Sequence, residues 1–144
     1  MKTLKSILAL YLLLFITSCQ VGPQDIEYGF DSCHFCKMTI VDKQHAAEFV
    51  TKKGKIYKFD AIECMVNFMK EFDSKEISLF LCNDFSKGED LIDATQSTFL
   101  ISENIPSPMG AFLSAFQEKE VAMKFQQDKG GEIYNWTELI VQLK

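Results

Sequence analysis

Residues 46–72, AAEFVTKKGKIYKFDAIECMVNFMKEF, carry the patterning that decides the fold. Residues 46–51 alternate as a strand does, Lys52-Lys53-Gly54-Lys55 reads as a hairpin turn, and residues 56–59 (IYKF) read as the returning strand. Asp60 followed by Glu63 has the spacing of a capping box, in which side chains satisfy the free backbone donors at a helix start. Beyond it Ile62, Met65, Val66, Met69 and Phe72 fall on one face at helical spacing. The stretch is therefore predicted to be a ββα unit.

Toward the C-terminus, residues 76–82 (EISLFLC) and 91–101 (LIDATQSTFLI) are expected strands. Pro106-Ser107-Pro108-Met109-Gly110 is a stiff turn leading into a strand over 111–116. Residues 117–128 have helical periodicity through Val121, Met123 and Phe125, ended by Lys129-Gly130-Gly131. A short strand over 132–136 and a helix over 137–144 close the chain. The fold class predicted is α+β: a small antiparallel-sheet domain built from ββα-type units, with a C-terminal βαβα segment.

The N-terminus indicates a compartment. Lys2 and Lys5 precede an apolar run over 7–16 that is too short to hold a helix across a bilayer, which marks residues 1–18 as a cleaved export signal. Ile16-Thr17-Ser18-Cys19 resembles the lipobox of bacterial lipoproteins, in which cleavage precedes the cysteine and the cysteine is acylated. Residues 19–31 then read as a lipidated tether and 32–144 as one domain. Gln20, not aspartate, follows Cys19, which favours the outer membrane by one bacterial sorting rule. Loss of residues 1–18 removes two lysines and no acids, taking the net charge from -5 to -7. The sequence holds no arginine, and an acidic surface without guanidinium groups excludes nucleic acid as a natural partner.

Four cysteines remain after Cys19: Cys33, Cys36, Cys64 and Cys82. Exported proteins keep disulfides, so structural bridges are one reading. A thiol-disulfide oxidoreductase using Cys33 and Cys36 is a second, but such a dithiol opens a helix, whereas KMTIV (37–41) is β-prone. Structural zinc is a third, although Cys64 and Cys82 do not form a second pair at ligand spacing. Met38 discriminates among these. If Cys36 opens an extended segment, residues 36, 38 and 40 share a side, and two thiolates with a thioether make a soft donor set that selects Cu(I). These readings stay open on the residues alone. His34 is either a solvated loop residue or a ligand, and His45 is expected at the surface where a strand begins, with a lesser claim as a metal cap. Cys64 lies roughly opposite the core face of its helix, packed on a second surface or turned toward the site. Cys82 is expected to be buried and inert. Met109, in its stiff turn, stands ready as another thioether.

Cys33-x-x-Cys36-x-Met38, KKGKIYKFD over 52–60, SPMGA over 107–111 and the EKEVAMKF segment, in that order, resemble the NosL family. The resemblance spans roughly residues 30–140. It implies a non-enzymatic, periplasm-facing Cu(I) metallochaperone lipoprotein that serves an exported copper enzyme, nitrous oxide reductase in the family's best-known setting. It also implies a distant likeness in fold to organomercurial lyase. By position, Cys33, Cys36, Met38 and Met109 match the family's metal motifs, and Cys64 stands where many members have no thiol. Lys37 replaces a glycine common in the family and lacks glycine's φ freedom, which puts the local turn in question.

Overall fold

The computed structural model describes residues 21–143, so the expected signal and the lipidation site at Cys19 lie outside the described residues. Among those residues, no helix is long and apolar enough to cross a membrane. The opening stretch forms β1 (Ala47–Thr51), β2 (Ile56–Phe59) and α1 (Ile62–Met69). There follow β3 (Ile77–Asn83), β4 (Leu91–Asp93), β5 (Thr98–Ile101), β6 (Leu113–Phe116), α2 (Lys119–Lys129), β7 (Glu132–Tyr134) and α3 (Trp136–Gln142). One sheet has the order β2-β1-β3-β4 and the other β6-β5-β7, with every pairing antiparallel. The architecture is α+β as predicted. The ββα arrangement recurs as β5-β6-α2, and the chain closes as βαβα.

Three local expectations are corrected. Residues 91–101 are two strands in different sheets, because the Asp93 side chain accepts from the Thr95 amide and hydroxyl and turns the chain into a 3₁₀ segment, Ala94–Gln96. Such side-chain bonds compete with the ladder and end it. The capping box expected at Asp60 and Glu63 does not form: α1 begins from Ala61 with no side-chain cap. A capping box forms instead at Asn135 and Glu138, so the last strand stops at Tyr134 and Trp136 opens α3. The Asn-x-x-Glu spacing there was legible in the sequence.

Phe49, in the centre of β1 and without solvent exposure, anchors the first core. Its ring lies 4.8 Å from Tyr57, 5.4 Å from Phe59 and 5.4 Å from Phe72, with Phe68 of α1 closing the cluster. Burying one such ring contributes about 1.5–3 kcal/mol, and the cluster fixes α1 over β1 and β2. Trp136 joins the two sheets, stacking at 5.4 Å on Phe80 of β3 and at 5.9 Å on Phe99 of β5. A smaller core of Phe85, Phe116 and Phe125 seats α2 on the second sheet.

The segment over 21–31, expected to stand clear as a tether, packs on the first sheet. Ile26 is buried, the Gln24 amide donates to Glu48 at 3.1 Å, and Tyr28 donates to Asn83 at 3.1 Å. Glu48 faces Lys58 across the β1-β2 ladder, yet it is wholly buried and its second carboxylate oxygen has no partner.

Two predictions come from these contacts. Burial pushes the Glu48 carboxyl up to about 7 from 4.5, so between those values the folded state holds a proton that the unfolded chain has lost. The contribution of this group to stability is therefore lost as pH rises through that window. Relative to Glu48→Gln, which shares every other titrating group including the cysteines, the parent's urea unfolding midpoint should fall between pH 5 and 7.5. The held-down carboxyls of Asp31 and Asp42 act with opposite sign and below about pH 4. At Gly131 (φ 98°) an added Cβ would stand 2.2 Å from the Ile101 carbonyl oxygen, where β7 meets β5. Gly131→Ala should cost about 3 kcal/mol in urea unfolding.

Candidate metal centre

Residues 32–39 fold back on themselves as a knuckle. An isolated antiparallel bridge between Ser32 and Thr39 closes it. Within it the Cys33 amide donates to the Met38 carbonyl at 2.8 Å, and the Lys37 amide donates to the Cys33 carbonyl at 3.0 Å. This return requires a left-handed residue before Met38, and Lys37 takes that conformation at φ 66°. The glycine-type turn is therefore kept with a lysine in it, and the Lys37 ammonium donates to the His34 carbonyl at 2.6 Å. The left-handed residue also breaks the extended run expected over 36–40. Cys36 sits in the turn, Met38 is 53% exposed and Ile40 is buried, so these three do not share a side.

The knuckle docks on β2 through His34. Its amide donates to the Lys58 carbonyl at 2.9 Å, and the Lys58 amide donates to His34 Nδ1 at 3.0 Å. Nδ1 also lies 3.1 Å from the Lys58 carbonyl oxygen, so this ring nitrogen is held against both backbone groups of that residue. The ring packs edge-on against Tyr57 at 5.1 Å and lies near Phe59 and Phe68. His34 is thus neither solvated nor offering Nδ1 to a metal.

This docking brings Cys33 beside α1, where Cys64 points back at it. The thiols of Cys33, Cys36 and Cys64 lie within 4.8 Å of one another. Three sulfurs held by one ion at bonds of about 2.3 Å stand about 4 Å apart when trigonal. The cluster is therefore within an ångström of a closed three-sulfur site. Cys33 and Cys64 are buried, while Cys36 is partly open to solvent. Of the two alternatives for Cys64, the one turned toward the site is realised.

The electrostatics single out Cys33. The Cys64 thiol, aided by the backbone amides of Asp60, Cys36 and Phe35, holds the Cys33 sulfur down to about 4, against the cost of burial. The Cys36 amide lies 3.4 Å from that sulfur. Cys64 is pushed well up by its hydrogen bond to Cys33 and by burial, and Cys36 is raised chiefly by burial. Within the trio the thiolate form is thus favoured at Cys33 and disfavoured at its two neighbours. Asp60, buried below it with Oδ1 unpartnered, is raised by burial and by that thiolate. In an exchanging dithiol the attacking sulfur must be accessible. Here the low-lying thiol is the buried one, and no helix starts at it.

The other candidate residues occupy separate places. Met109 is 40% exposed in its turn. That turn is held to α1 by Glu63, whose Oε1 accepts from the Ser107 hydroxyl at 2.9 Å and the Ala111 amide at 3.3 Å. His45, expected at the surface, is buried in a turn before β1, bonded through Nδ1 to Asp42 at 2.9 Å and facing Ser114 through Nε2. It does not join the sulfur cluster. The Asp42-x-x-His45 spacing was the available sign of this pair. Cys82 is fully buried in β3, its thiol pushed up to about 12 by burial.

The NosL family model matches residues 26–143, which covers the knuckle, both sheets and the turn at Met109. The chain belongs to the NosL family. It is 24% identical over 149 residues to the copper-binding lipoprotein NosL of Stutzerimonas stutzeri, covering 93% of this chain and 78% of that one. Its fold matches the crystal structure of the copper chaperone NosL from Shewanella denitrificans with a TM-score of 0.72 at 22% identity, over 83% of this chain and 96% of the other. Within this NosL-family fold, Lys37 yields a direct test. A left-handed non-glycine residue costs about 1–2 kcal/mol, partly offset by the greater unfolded-state freedom of glycine. Lys37→Gly should raise the stability of the metal-free protein by about 0.5–1 kcal/mol in urea unfolding.

Proposed function

We propose that the protein is a membrane-tethered copper(I) carrier for which copper is cargo and not a resident cofactor. The observation that carries this reading is the convergence of three thiols, Cys33, Cys36 and Cys64, within 4.8 Å. Thiolates and thioethers are soft donors, and together they prefer Cu(I) to magnesium, calcium or zinc. Cys33, already a thiolate, receives the ion; Cys36 and Cys64 lose their protons as they join it. Met38, two residues beyond Cys36, and Met109 are exposed thioethers that can complete the site. A thioether binds without a charge or a proton, so it accepts and releases the ion easily. Transfer proceeds by ligand exchange, in which a donor from the client adds to the three-coordinate ion before a protein sulfur leaves.

The two NosL relatives, one a copper-binding lipoprotein and the other a copper chaperone, support copper as the cargo. The lipobox at Cys19 supports a bacterial lipoprotein facing the periplasm, and Gln20 after it supports the outer membrane. The client is an exported copper enzyme, and the family resemblance points to nitrous oxide reductase. Binding and release suffice for this role, with no chemical turnover by the protein itself.

Competition for Cu(I) tests the reading. The detergent-purified, reduced protein should take one equivalent from a chromophoric chelator, and Cys33→Ser or Cys64→Ser should weaken binding by about tenfold or more. Failure to compete with a weak chelator, or unchanged affinity in both variants, would refute copper carriage. Catalysed reduction of insulin would favour a thiol-disulfide oxidoreductase, and stoichiometric zinc in the purified protein a structural zinc site.

A further inference from the structure

Glu63 is an acidic side chain 6% exposed on α1, immediately before the third thiol of the cluster. It does not cap its helix. Its Oε1 instead receives both ends of the turn that carries Met109, the Ser107 hydroxyl and the Ala111 amide, while Oε2 is buried without a partner. The turn needs such a hold. Gly110 lies at φ 77° and Phe112 at φ 57°, so two residues flanking Ala111 occupy the left-handed region, which an aromatic residue enters only when its surroundings impose it. Within the turn the Gly110 amide closes on the Ser107 carbonyl at 3.0 Å, so residues 107–110 form a closed turn. Met109 thus lies in the connection between β5 and β6 of the second sheet, while Cys33 and Cys36 belong to the knuckle docked on the first sheet and Cys64 to α1.

We infer that Glu63 is a positioning residue that registers the Met109 turn against the three-thiol centre, so that the thioether reaches copper only while this one carboxylate oxygen holds both ends of the turn. This deepens the copper-carrier reading and rests on it. Groups behind the ligands of a metal commonly change affinity as much as the ligands do, because they fix where the donor atoms stand. Glu63 acts on Met109 alone and leaves the thiols where the knuckle and α1 put them.

The test is a double-mutant cycle on the full-length, detergent-purified protein, read by Cu(I) competition against a chromophoric chelator and by X-ray absorption at the copper edge. Met109→Leu should weaken Cu(I) by about tenfold, Glu63→Ala by the same factor, and the pair together by no more than either alone. The absorption data should show the thioether lost and the thiolates kept in each. Glu63→Gln retains the carbonyl acceptor and places its amide nitrogen at the unpartnered Oε2, so it should bind within about twofold of the parent. Ser107→Ala keeps α1 untouched and should weaken binding about threefold if Glu63→Ala does not fold. Additive losses in the double variant, or an unchanged thioether signal in Glu63→Ala or Ser107→Ala, would overturn the inference. A silent Met109→Leu would also overturn it while leaving the thiolate centre standing. Unchanged affinity in Cys33→Ser is a separate result, which would refute copper carriage itself.

Discussion

The two hydrogen bonds between the backbone of Lys58 and His34 carry more of this molecule than their number suggests. They attach a short knuckle, which has almost no core of its own, to the edge strand of the first sheet. The imidazole nitrogen stands in for a backbone acceptor, while its ring fills a gap among Tyr57, Phe59 and Phe68. One side chain therefore extends the sheet by a rung and adds to the aromatic core. Cys33 and Cys36, on either side of it in sequence, are left facing the helix that the same core holds in place. The sulfur cluster is a consequence of that docking and of the Phe49 cluster beneath it.

Burial and charge work against each other at the centre. Taking a thiolate out of water is costly unless hydrogen bonds replace the solvent. The Cys33 sulfur has the thiol of Cys64 and nearby backbone amides for that purpose. Cys64 holds its proton more tightly through its hydrogen bond to that sulfur and through burial, and Cys36 chiefly through burial, with the neighbouring charge adding to both. A soft monovalent cation removes the conflict by neutralising what the amides only partly compensate, and the proposed cargo is an ion of that kind. Asp60, buried near Cys33 with one carboxylate oxygen lacking a partner, has its own carboxyl raised by burial and by that thiolate.

The first ββα unit was readable because two periodicities adjoin across a glycine turn, and each is satisfied locally. The split of residues 91–101 was not, since apolar residues continue through it and only Asp93 and Thr95 mark the change of sheet. At the site, the Cys33–Cys36 spacing was visible as a local loop. The helical wheel placed Cys64 away from Ile62 and Met69, but what would occupy that side depends on how a knuckle some thirty residues earlier docks. Alternation put Cys36, Met38 and Ile40 on one side, whereas Met38 is exposed and Ile40 buried, because a lysine adopted a conformation that a sequence reader reserves for glycine. His45 looked like a surface residue because its partners, Asp42 and Ser114, lie in a turn and in the other sheet.

Cys82 stands apart from all of this, sealed within β3 and bonded to Ser97. Its thiol gives the protein an internal clock for opening. A small alkylating reagent reaches Cys36 at the surface of the native fold, but it reaches Cys82 only when the first sheet separates. Labelling kinetics at the two cysteines therefore separate reaction of the folded surface from loss of the whole structure, without any introduced cysteine.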